Sequence, residues 1–244
     1  MKRIAYLTLA AVALLSLPSC RFVHVSDELN EKATQQGFSW KGEASGERIT
    51  ASDNYITQYE TTGEFHAITC NLPGDVIYTP GECAVSINAP DNVLELVTVR
   101  NENGTLQIKS NAGRIRNLKK ITINVSSPVL EELNFNGAVD FNAPEGITAL
   151  DFNAVVNGAG DIDIKGLKAD NASLIVNGAG DATIKDLDCE SISVAINGAG
   201  DAVLSGRAGR AGLSIAGAGD IDARELNCSD IDTKVRGVGS IRKP

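Results

Sequence analysis

Aspartate recurs at nearly even intervals in the second half of this 244-residue sequence, and its carboxylates are the side chains best suited to do chemistry. The repeated positions are Asp140, Asp161, Asp181, Asp201 and Asp220. Two carboxylates held a fixed distance apart can act as the acid and the base of a polysaccharide-cleaving enzyme. A row of carboxylates can also bind calcium, which prefers oxygen ligands. Cleavage, cation binding and a purely structural role are therefore the three readings to compare.

The surrounding residues favour the structural role over catalysis. The candidate acid and base residues are Asp161, Asp163, Asp181 and Asp201. The column aspartates recur with the repeat, as structural residues do, whereas an active site usually breaks a repeat. No histidine follows His66, and the repeats contain no aromatic platform for sugar rings. We predict a non-enzymatic protein without catalytic residues, metal or cofactor, and keep a polysaccharide lyase or hydrolase of pectinase-like β-helix type as the alternative.

Calcium binding is a second alternative, in the form of a calcium-stabilised structural protein. Gly-x-Gly-Asp segments superficially resemble calcium-binding β-rolls, but those rolls have a nine-residue period and more glycine. Stacked carboxylates about 4.8 Å apart would repel each other by roughly 1 kcal/mol per pair even in a water-like dielectric. We expect each aspartate to offset this repulsion by accepting hydrogen bonds from backbone N–H groups of its own corner, as in Asx-turns.

The aspartates belong to a pentapeptide that recurs six times. Its copies begin at Asn136, Asn157, Asn177, Asn197, Ala216 and Arg236, and most of them read Asn-Gly-Ala-Gly-Asp. The spacings are 21, 20, 20, 19 and 20 residues, which identifies an internal repeat. The glycine columns fit sharp corners, where a Cβ is excluded. The four asparagines are expected to form a ladder of side-chain amides that resists slipping of register, with sugar binding as a secondary role.

Apolar residues alternate with polar ones on both sides of each corner, which is the period of a strand with one buried face. The column before the corner contains Phe135, Val156, Val176, Ile196, Ile215 and Val235. The column after it contains Phe141, Ile162, Ala182, Ala202, Ile221 and Ile241. One unit cannot bury its apolar face alone, but stacked units can. The sequence therefore predicts an all-β protein, a right-handed parallel β-helix or solenoid with coils of about 20 residues.

Residues 46–126 form a less regular β-rich part that precedes the solenoid repeats at 127–244. Its predicted strands are 64–70, 75–79, 84–88, 94–100, 105–110 and 120–126. This part forms either early, distorted coils or a cap, because the bare end of a solenoid presents unpaired strand edges. At the other end, Arg236, Ser240 and the tail 242–244 break the pattern, which suits an edge that must not polymerise.

Four cysteines lie in the predicted folded part. Cys189 and Cys228 share one column of small residues, two coils and about 9–10 Å apart, which is too far for a disulfide. We predict that both are buried free thiols. Cys70 and Cys83 flank one predicted strand, and a disulfide between them is an open alternative in an oxidising compartment.

The N-terminus indicates export and a lipid anchor. Two basic residues precede an apolar run at 4–15, the layout of a secretory signal that is too short to span a membrane. The run is followed by Leu-Pro-Ser-Cys ending at Cys20, which resembles a bacterial lipobox. We predict a lipoprotein signal peptide at 1–19, lipidation of Cys20, and a flexible tether over 20–45. The lipid would hold the chain on the outer membrane, with the periplasmic or surface face left open.

The charge of the chain argues against nucleic acid as a partner. Loss of the signal peptide removes Lys2 and Arg3, which changes the formal charge from −9 to −11. Binding to duplex nucleic acid requires the opposite sign. The membrane, through the lipid, and a glycan or protein ligand are the expected partners, and the oligomeric state is left open.

Several motifs of the chain resemble a known family. They are Phe65-x-x-Ile68, Gly74-Asp75-Val76-x-Tyr78, Asn103-Gly104-Thr105-Leu106-x-Ile108 and the repeated corners. Over residues 46–240 the chain is similar to the putative auto-transporter adhesin, head GIN domain family, which is common among Bacteroidetes lipoproteins. The resemblance implies a right-handed β-helix-like fold and a cell-envelope location, and it brings no catalytic residues. The leading hypothesis is a non-enzymatic envelope lipoprotein that presents a rigid surface for adhesion.

Overall fold

The computed structural model describes residues 48–244, so the predicted signal peptide, Cys20 and the tether lie outside the described residues. The first part of the described chain contains β1 (Arg48–Thr50), β2 (Tyr55–Glu60), β3 (Ala67–Cys70), β4 (Gly74–Pro80), β5 (Ala84–Pro90), α1 (Asp91–Leu94), β6 (Val97–Glu102), β7 (Thr105–Ser110), β8 (Arg114–Arg116) and β9 (Thr122–Ser127). The second part contains β10 (Glu132–Ala143), β11 (Ile147–Thr148), β12 (Asp151–Ala159), β13 (Ile162–Ile164), β14 (Leu167–Ala179), β15 (Ala182–Ala199), β16 (Ala202–Asn227) and β17 (Asp230–Arg242). None of the helices in these residues is long and apolar enough to cross a membrane.

The second part is a stack of parallel coils. Each of β10, β12, β14, β15 and β16 pairs in parallel with the equivalent segment one coil later. The strands pair in the register that the repeat columns predict. At the first corner position, the pairs are Asn136 with Asn157, Asn157 with Asn177, Asn177 with Asn197, Asn197 with Ala216, and Ala216 with Arg236. The predicted β-solenoid is confirmed, and so is the column alignment from which it was inferred.

The first part contains both early coils and a cap. β3 and β4 pair in parallel with β10, so they form the coil next to the repeats. β7 and β9 pair in parallel with β3 and β4 on the far side, although they come later in the chain. Antiparallel strands close this end, because β5 and then β2 follow β9, while β6 follows β7. β1 and β8 form a separate parallel pair.

Some elements of this part differ from the predicted strands, and the short strands β1 and β8 were not predicted. The strand predicted at 94–100 begins only at Val97, because Leu94 is the last residue of the helical turn α1, where it is buried together with Val93. β2 was not predicted, since it pairs with β5 alone and most of its side chains are exposed. An edge strand of this kind lacks the apolar and polar alternation by which strands are recognised in a sequence.

The apolar columns fill the interior of the stack. Leu133, Phe135, Val139 and Phe141 are all buried in the first repeat coil. The columns of Leu133, Phe135 and Phe141 stay buried through Leu213, Ile215 and Ile221, whereas the column of Val139 is glycine in the later coils. The rings of Phe135 and Phe141 meet across the corner with their centroids 5.6 Å apart. Burial of these columns is the main favourable term for folding, because each coil alone would leave its inner face in water.

The corners bring the backbones of successive coils into direct contact. Gly198 has a φ of +147°, a conformation that residues with a side chain rarely adopt. A Cβ on Gly198 would also lie closer to the carbonyl oxygen of Gly178 than the 3.0 Å that real Cβ atoms keep. Two independent constraints, the φ angle and the lack of space, therefore require glycine in this column.

One repeat has 19 residues instead of 20 or 21, and the strands accommodate the difference at a single point. The corner spacing of 19 residues precedes Ala216, and the register shifts where Ile184 pairs with Leu204 and Leu187 pairs with Gly206. Gly206 has a φ of +117° and no room for a Cβ beside Leu187. Glycine therefore lets the coil lose one residue without moving the corners out of register.

We predict that Gly198→Ala lowers the free energy of unfolding by about 2–4 kcal/mol, because the substitution combines a strained φ with overlap of a backbone carbonyl. Gly166→Ala is the matched control, since its φ is ordinary and the nearest atom to a Cβ there is 4.0 Å away. The control should change stability by less than about 1 kcal/mol. Urea unfolding followed by circular dichroism measures both, and equal effects would contradict the corner constraint.

Corner ladders and the cap face as candidate functional surfaces

The predicted amide ladder is present in the structure. Nδ2 of Asn157 donates to Oδ1 of Asn136 at 3.1 Å, Asn177 donates to Asn157 at 2.9 Å, and Asn197 donates to Asn177 at 2.9 Å. These side chains are partly buried, so each bond satisfies a polar group that has lost contact with water. The ladder ties four successive coils together at one column.

The ladder extends one coil further than the repeat pattern indicated. Nδ2 of Asn136 donates to Oδ1 of Asn71 at 3.0 Å, and Asp140 pairs in register with Asp75. Residues 71–75 read Asn-Leu-Pro-Gly-Asp, which keeps the spacing of Asn and Asp in the other corners. The shared spacing of Asn and Asp could have identified this corner from the sequence. Its second and third residues, however, are Leu-Pro instead of Gly-Ala, and it lies 65 residues before the next corner.

The aspartates form a second ladder, which we call the Asp ladder: Asp75, Asp140, Asp161, Asp181, Asp201 and Asp220. Oδ1 of each repeat aspartate accepts a hydrogen bond from the backbone N–H of the equivalent residue one coil later. The donors are Asp161, Asp181, Asp201, Asp220 and Ser240, at 2.8–3.0 Å. The expectation of bonds within each aspartate's own corner is therefore wrong, because the carboxylate serves the next corner. Charge-assisted bonds of this kind offset the repulsion between stacked carboxylates.

Cations stand at both ends of the Asp ladder. Lys120 pairs with Asp75 at the cap end, and Arg242 pairs with Asp220 at 3.3 Å at the other end. The hydroxyl and the backbone N–H of Ser240 both donate to Asp220 and lower the pKa of that carboxyl. The ladder is thus fixed by hydrogen bonds along its length and by opposite charges at its ends.

The geometry gives the repeat aspartates a common environment. Oδ1 of Asp161, Asp181 and Asp201 is committed to a backbone N–H in each case. Across residues 48–244, no three or more His, Cys, Asp and Glu side chains are grouped so that they could hold a metal ion.

All four cysteines of the described chain are free thiols. Burial raises the pKa of Cys70 to about 12, and its thiol donates to the carbonyl of Leu72. Cys70 precedes β4 and Cys83 follows it, so the seven residues of that strand separate them by about 20 Å, which is beyond disulfide reach. The disulfide left open by the sequence is therefore not formed in the structure.

Cys189 and Cys228 differ in exposure. Cys189 pairs in register with Ala169 and Ala208, and burial raises its pKa to about 11. Cys228 is only half-buried, which corrects the prediction for this residue, because it lies close to β17, where the stack of described coils ends. Cys189 also lies at a shallow groove of about 590 Å³ beside the exposed side chain of Leu150.

An exposed aromatic residue stands on the outer side of the cap. Tyr59 of β2 is 81% exposed and pairs in register with Ser86, which pairs in turn with Asn124. The neighbouring row contains Thr57 and Asn88, whose side chains bond to each other at 2.9 Å. We call these five residues the cap face. No sequence pattern indicated the cap face, because its members come from three strands that are distant along the chain.

The cap face continues directly into the Asp ladder. Asn88 pairs in register with Thr122, Thr122 with Asp75, and Asp75 with Asp140. Directly opposed residues point to the same side of a sheet. One side of the protein therefore carries an aromatic ring, then hydroxyl and amide groups, then a row of carboxylates.

We predict that Asn177→Ala lowers the free energy of unfolding by about 1–3 kcal/mol, because it removes two ladder bonds and leaves the amide groups of Asn157 and Asn197 unsatisfied. Asn171→Ala is the control, since Asn171 lies in the same coil and its amide is exposed. Denaturant unfolding should show the smaller effect for the control. A larger effect for Asn171→Ala would contradict a stabilising role of the ladder.

Comparison with known proteins supports this description of the fold. The structure resembles that of a putative adhesin from Bacteroides fragilis, with a TM-score of 0.68 and 23% identity over 80% of this chain and 100% of that one. It also resembles a protein named as a putative lipid binding protein from Parabacteroides distasonis, with a TM-score of 0.70 and 20% identity over 81% and 100% of the two chains. A putative adhesin from Parabacteroides merdae is similar at a TM-score of 0.55 and 16% identity, over 82% and 100%.

At these identities the likeness to solved structures establishes the fold alone. A search of curated proteins found no match. Residues 64–242 match the family described as "Putative auto-transporter adhesin, head GIN domain", which covers the early coils, the cap strands from β3 onward and every repeat. The chain therefore belongs to the auto-transporter adhesin head GIN domain family.

Proposed function

We propose that this protein is a non-enzymatic, lipid-anchored component of the outer membrane that adheres to glycans through the cap face. The family is named for adhesins, which supports an adhesive role at the cell envelope. The predicted signal peptide and the lipobox-like sequence that ends at Cys20 support the anchor.

The cap face is the observation that carries this proposal. Tyr59 is 81% exposed on a paired strand, and exposed aromatic residues are enriched at binding surfaces. Hydroxyl and amide groups surround it on Thr57, Ser86, Asn88 and Asn124. The apolar face of a sugar ring can stack on the tyrosine while its hydroxyl groups bond to these neighbours.

The row that follows the cap face suits an elongated ligand. Thr122 and Asp75 lead in register from Asn88 to Asp140, so a chain of sugars could follow the coils from one strand to the next. Oδ1 of each repeat aspartate is occupied by a backbone N–H, whereas Oδ2 of Asp140, Asp161 and Asp181 faces solvent on exposed residues. Carboxylates accept hydrogen bonds from the hydroxyl groups of sugars, and they repel the carboxylate groups of acidic sugars. A neutral or amino sugar polymer therefore fits this side better than a polyuronate.

One of the structural neighbours is named as a lipid binding protein, so a lipid is the ligand to compare. Small-molecule sites for apolar ligands are concave and largely enclosed. The interior of the described coils is instead filled by one continuous core of side chains. The surface chemistry of the cap face is also polar apart from Tyr59, so it favours a glycan.

We expect Tyr59→Ala to abolish binding of the purified protein to those glycans that it retains on a glycan array, because the stacking surface is lost. Leu150→Ala is the matched control, since Leu150 is also exposed but does not belong to the cap face. The same glycans, incubated with the wild-type protein, should be recovered intact. Release of shortened products would support the lyase or hydrolase alternative and contradict the proposal, as would equal binding by both variants.

The anchor has a test of its own. We expect Cys20→Ala to prevent lipidation and to move the protein from the membrane fraction to the soluble fraction, because no other anchor is proposed for the chain. Mass analysis of the N-terminal peptide and fractionation of cells measure both effects. A Cys20→Ala protein that stays with the membrane would contradict the proposed anchor and leave the glycan-binding result unaffected.

A further inference from the structure

The short parallel pair of β1 and β8 carries three arginines on its outer face. Arg48 lies opposite Arg114, Ile49 lies opposite Ile115, and Arg116 ends β8. The two isoleucines are half-buried and pack against the core, whereas the three arginines are exposed. Because side chains alternate along a strand, the arginines all stand on the side away from the core. We call these three arginines the arginine ribbon.

The backbone of the arginine ribbon is fixed to the folded body beside α1. Nδ2 of Asn92 donates to the carbonyl oxygen of Thr50 at 2.8 Å, and Oδ1 of Asn92 accepts the backbone N–H of Ser52 at 3.0 Å. The backbone N–H of Ala51 donates to the carbonyl oxygen of Arg116 at 2.9 Å. The arginines are therefore presented from a backbone that is tied to the body by hydrogen bonds on both strands.

The arginine ribbon has no anionic partner among the residues that the structure describes, since their ion pairs involve other cations. The acidic side chains beside β1 are already occupied: Asp53 pairs with Lys119, and Asp91 accepts hydrogen bonds from two neighbouring side chains. Like charges directly opposite each other, as in Arg48 and Arg114, destabilise a strand pair. In the Asp ladder this cost is offset by backbone N–H groups, whereas the arginines call for an anion from outside the described chain.

The chain around β8 is basic, although the protein as a whole is acidic. Residues 103–130 contain five Lys and Arg and no Asp or Glu. Residues 131–244 contain ten Lys and Arg against eighteen Asp and Glu, which is a formal charge of −8. An anionic surface would therefore repel the repeats and attract the arginine ribbon, which gives the body a preferred orientation on such a surface.

The position of the arginine ribbon in the chain indicates which anionic surface it meets. Arg48 comes three residues after the end of the predicted tether and 28 residues after Cys20. With the proposed lipid on Cys20, the ribbon contains the part of the described body that is nearest to the lipid along the chain. A single lipid chain binds a membrane only reversibly, and a basic patch is a common second attachment. Because the lipid already holds the protein at the surface, even a weak second contact is effective.

We propose that the arginine ribbon binds the phosphate groups of anionic lipid headgroups, so that the folded body docks on the membrane that carries its lipid anchor. A guanidinium group binds phosphate through two parallel hydrogen bonds and is less strongly hydrated than an ammonium group. Contact with headgroups takes place at a surface and needs no enclosed pocket, unlike the binding of an acyl chain. This inference deepens the proposed anchor, on which it rests, and does not depend on the cap face.

The test uses the chain from residue 21 onward, without the signal peptide and the lipid, because Glu43–Pro244 forms a compact unit of its own. We expect this protein to sediment with vesicles of equal parts phosphatidylcholine and phosphatidylglycerol, and not with vesicles of phosphatidylcholine alone. Added salt should weaken the binding, because it screens the charges of exposed groups.

The double variant Arg48→Gln and Arg114→Gln should bind the anionic vesicles about 25-fold more weakly, since each arginine near such a surface contributes about fivefold. It should be at least as stable as the wild type, because two opposed like charges are removed. The matched control is Arg207→Gln with Arg224→Gln, which changes the net charge equally but alters exposed arginines that already form ion pairs. The control should bind the vesicles as the wild type does.

Equal weakening by the two double variants, or equal binding to the two kinds of vesicle, would overturn the proposal. So would equally strong binding to duplex DNA at the same salt concentration, or a loss of stability in the Arg48 and Arg114 variant. Tyr59→Ala should leave vesicle binding unchanged, which separates this surface from the cap face. The vesicle experiment contains no lipidated protein, so its failure is distinct from retention of the Cys20→Ala protein in the membrane fraction, which tests the anchor itself.

Discussion

The structure depends on the close approach of backbones at the corners. Glycine over glycine allows successive coils to stack at the spacing of a parallel sheet, about 4.8 Å, while the chain turns sharply. If the corner columns carried side chains, the coils would be held apart and the inward columns would lose their contacts. The amide ladder, the Asp ladder and the buried core all follow from this spacing, because each of them needs equivalent residues to meet one coil apart.

The two ladders show how the same spacing can favour or oppose folding. Side-chain amides are both donors and acceptors, so stacked asparagines satisfy each other with no further partner. Carboxylates only accept, and a stack of them would repel. The repeat resolves this by directing each carboxylate oxygen to the backbone N–H of the next corner, and cations close the ladder at Asp75 and Asp220. The row of aspartates thus bonds each corner to the corner of the next coil.

The two ends of the stack differ in how their strand edges are covered within the described residues. At one end, the chain places β7 and β9 beneath β3 and β4 and then covers them with antiparallel strands. At the other end, the edge of β17 carries exposed valines and cationic side chains. The non-repeating features lie at these ends, in the cap face and in the edge of β17. The repetitive middle of the protein therefore separates two ends whose surfaces do not repeat.

The sequence by itself determined the coils. The period of the corners, the glycine columns and the alternation of apolar residues are local patterns, and they predicted the strands, the register of Asn136 with Asn157 and the amide ladder. The tertiary structure alone decided the order of the early coils, the direction of the bonds from Asp161 and Asp181 to the next coil, and the half-exposed position of Cys228. It also decided the cap face, since Tyr59, Ser86 and Asn124 meet only when β2, β5 and β9 pair. The physical reason is the separation along the chain of the residues that interact. A period can be recognised from residues that are close in the sequence, whereas the pairing of distant strands depends on the burial of the whole core.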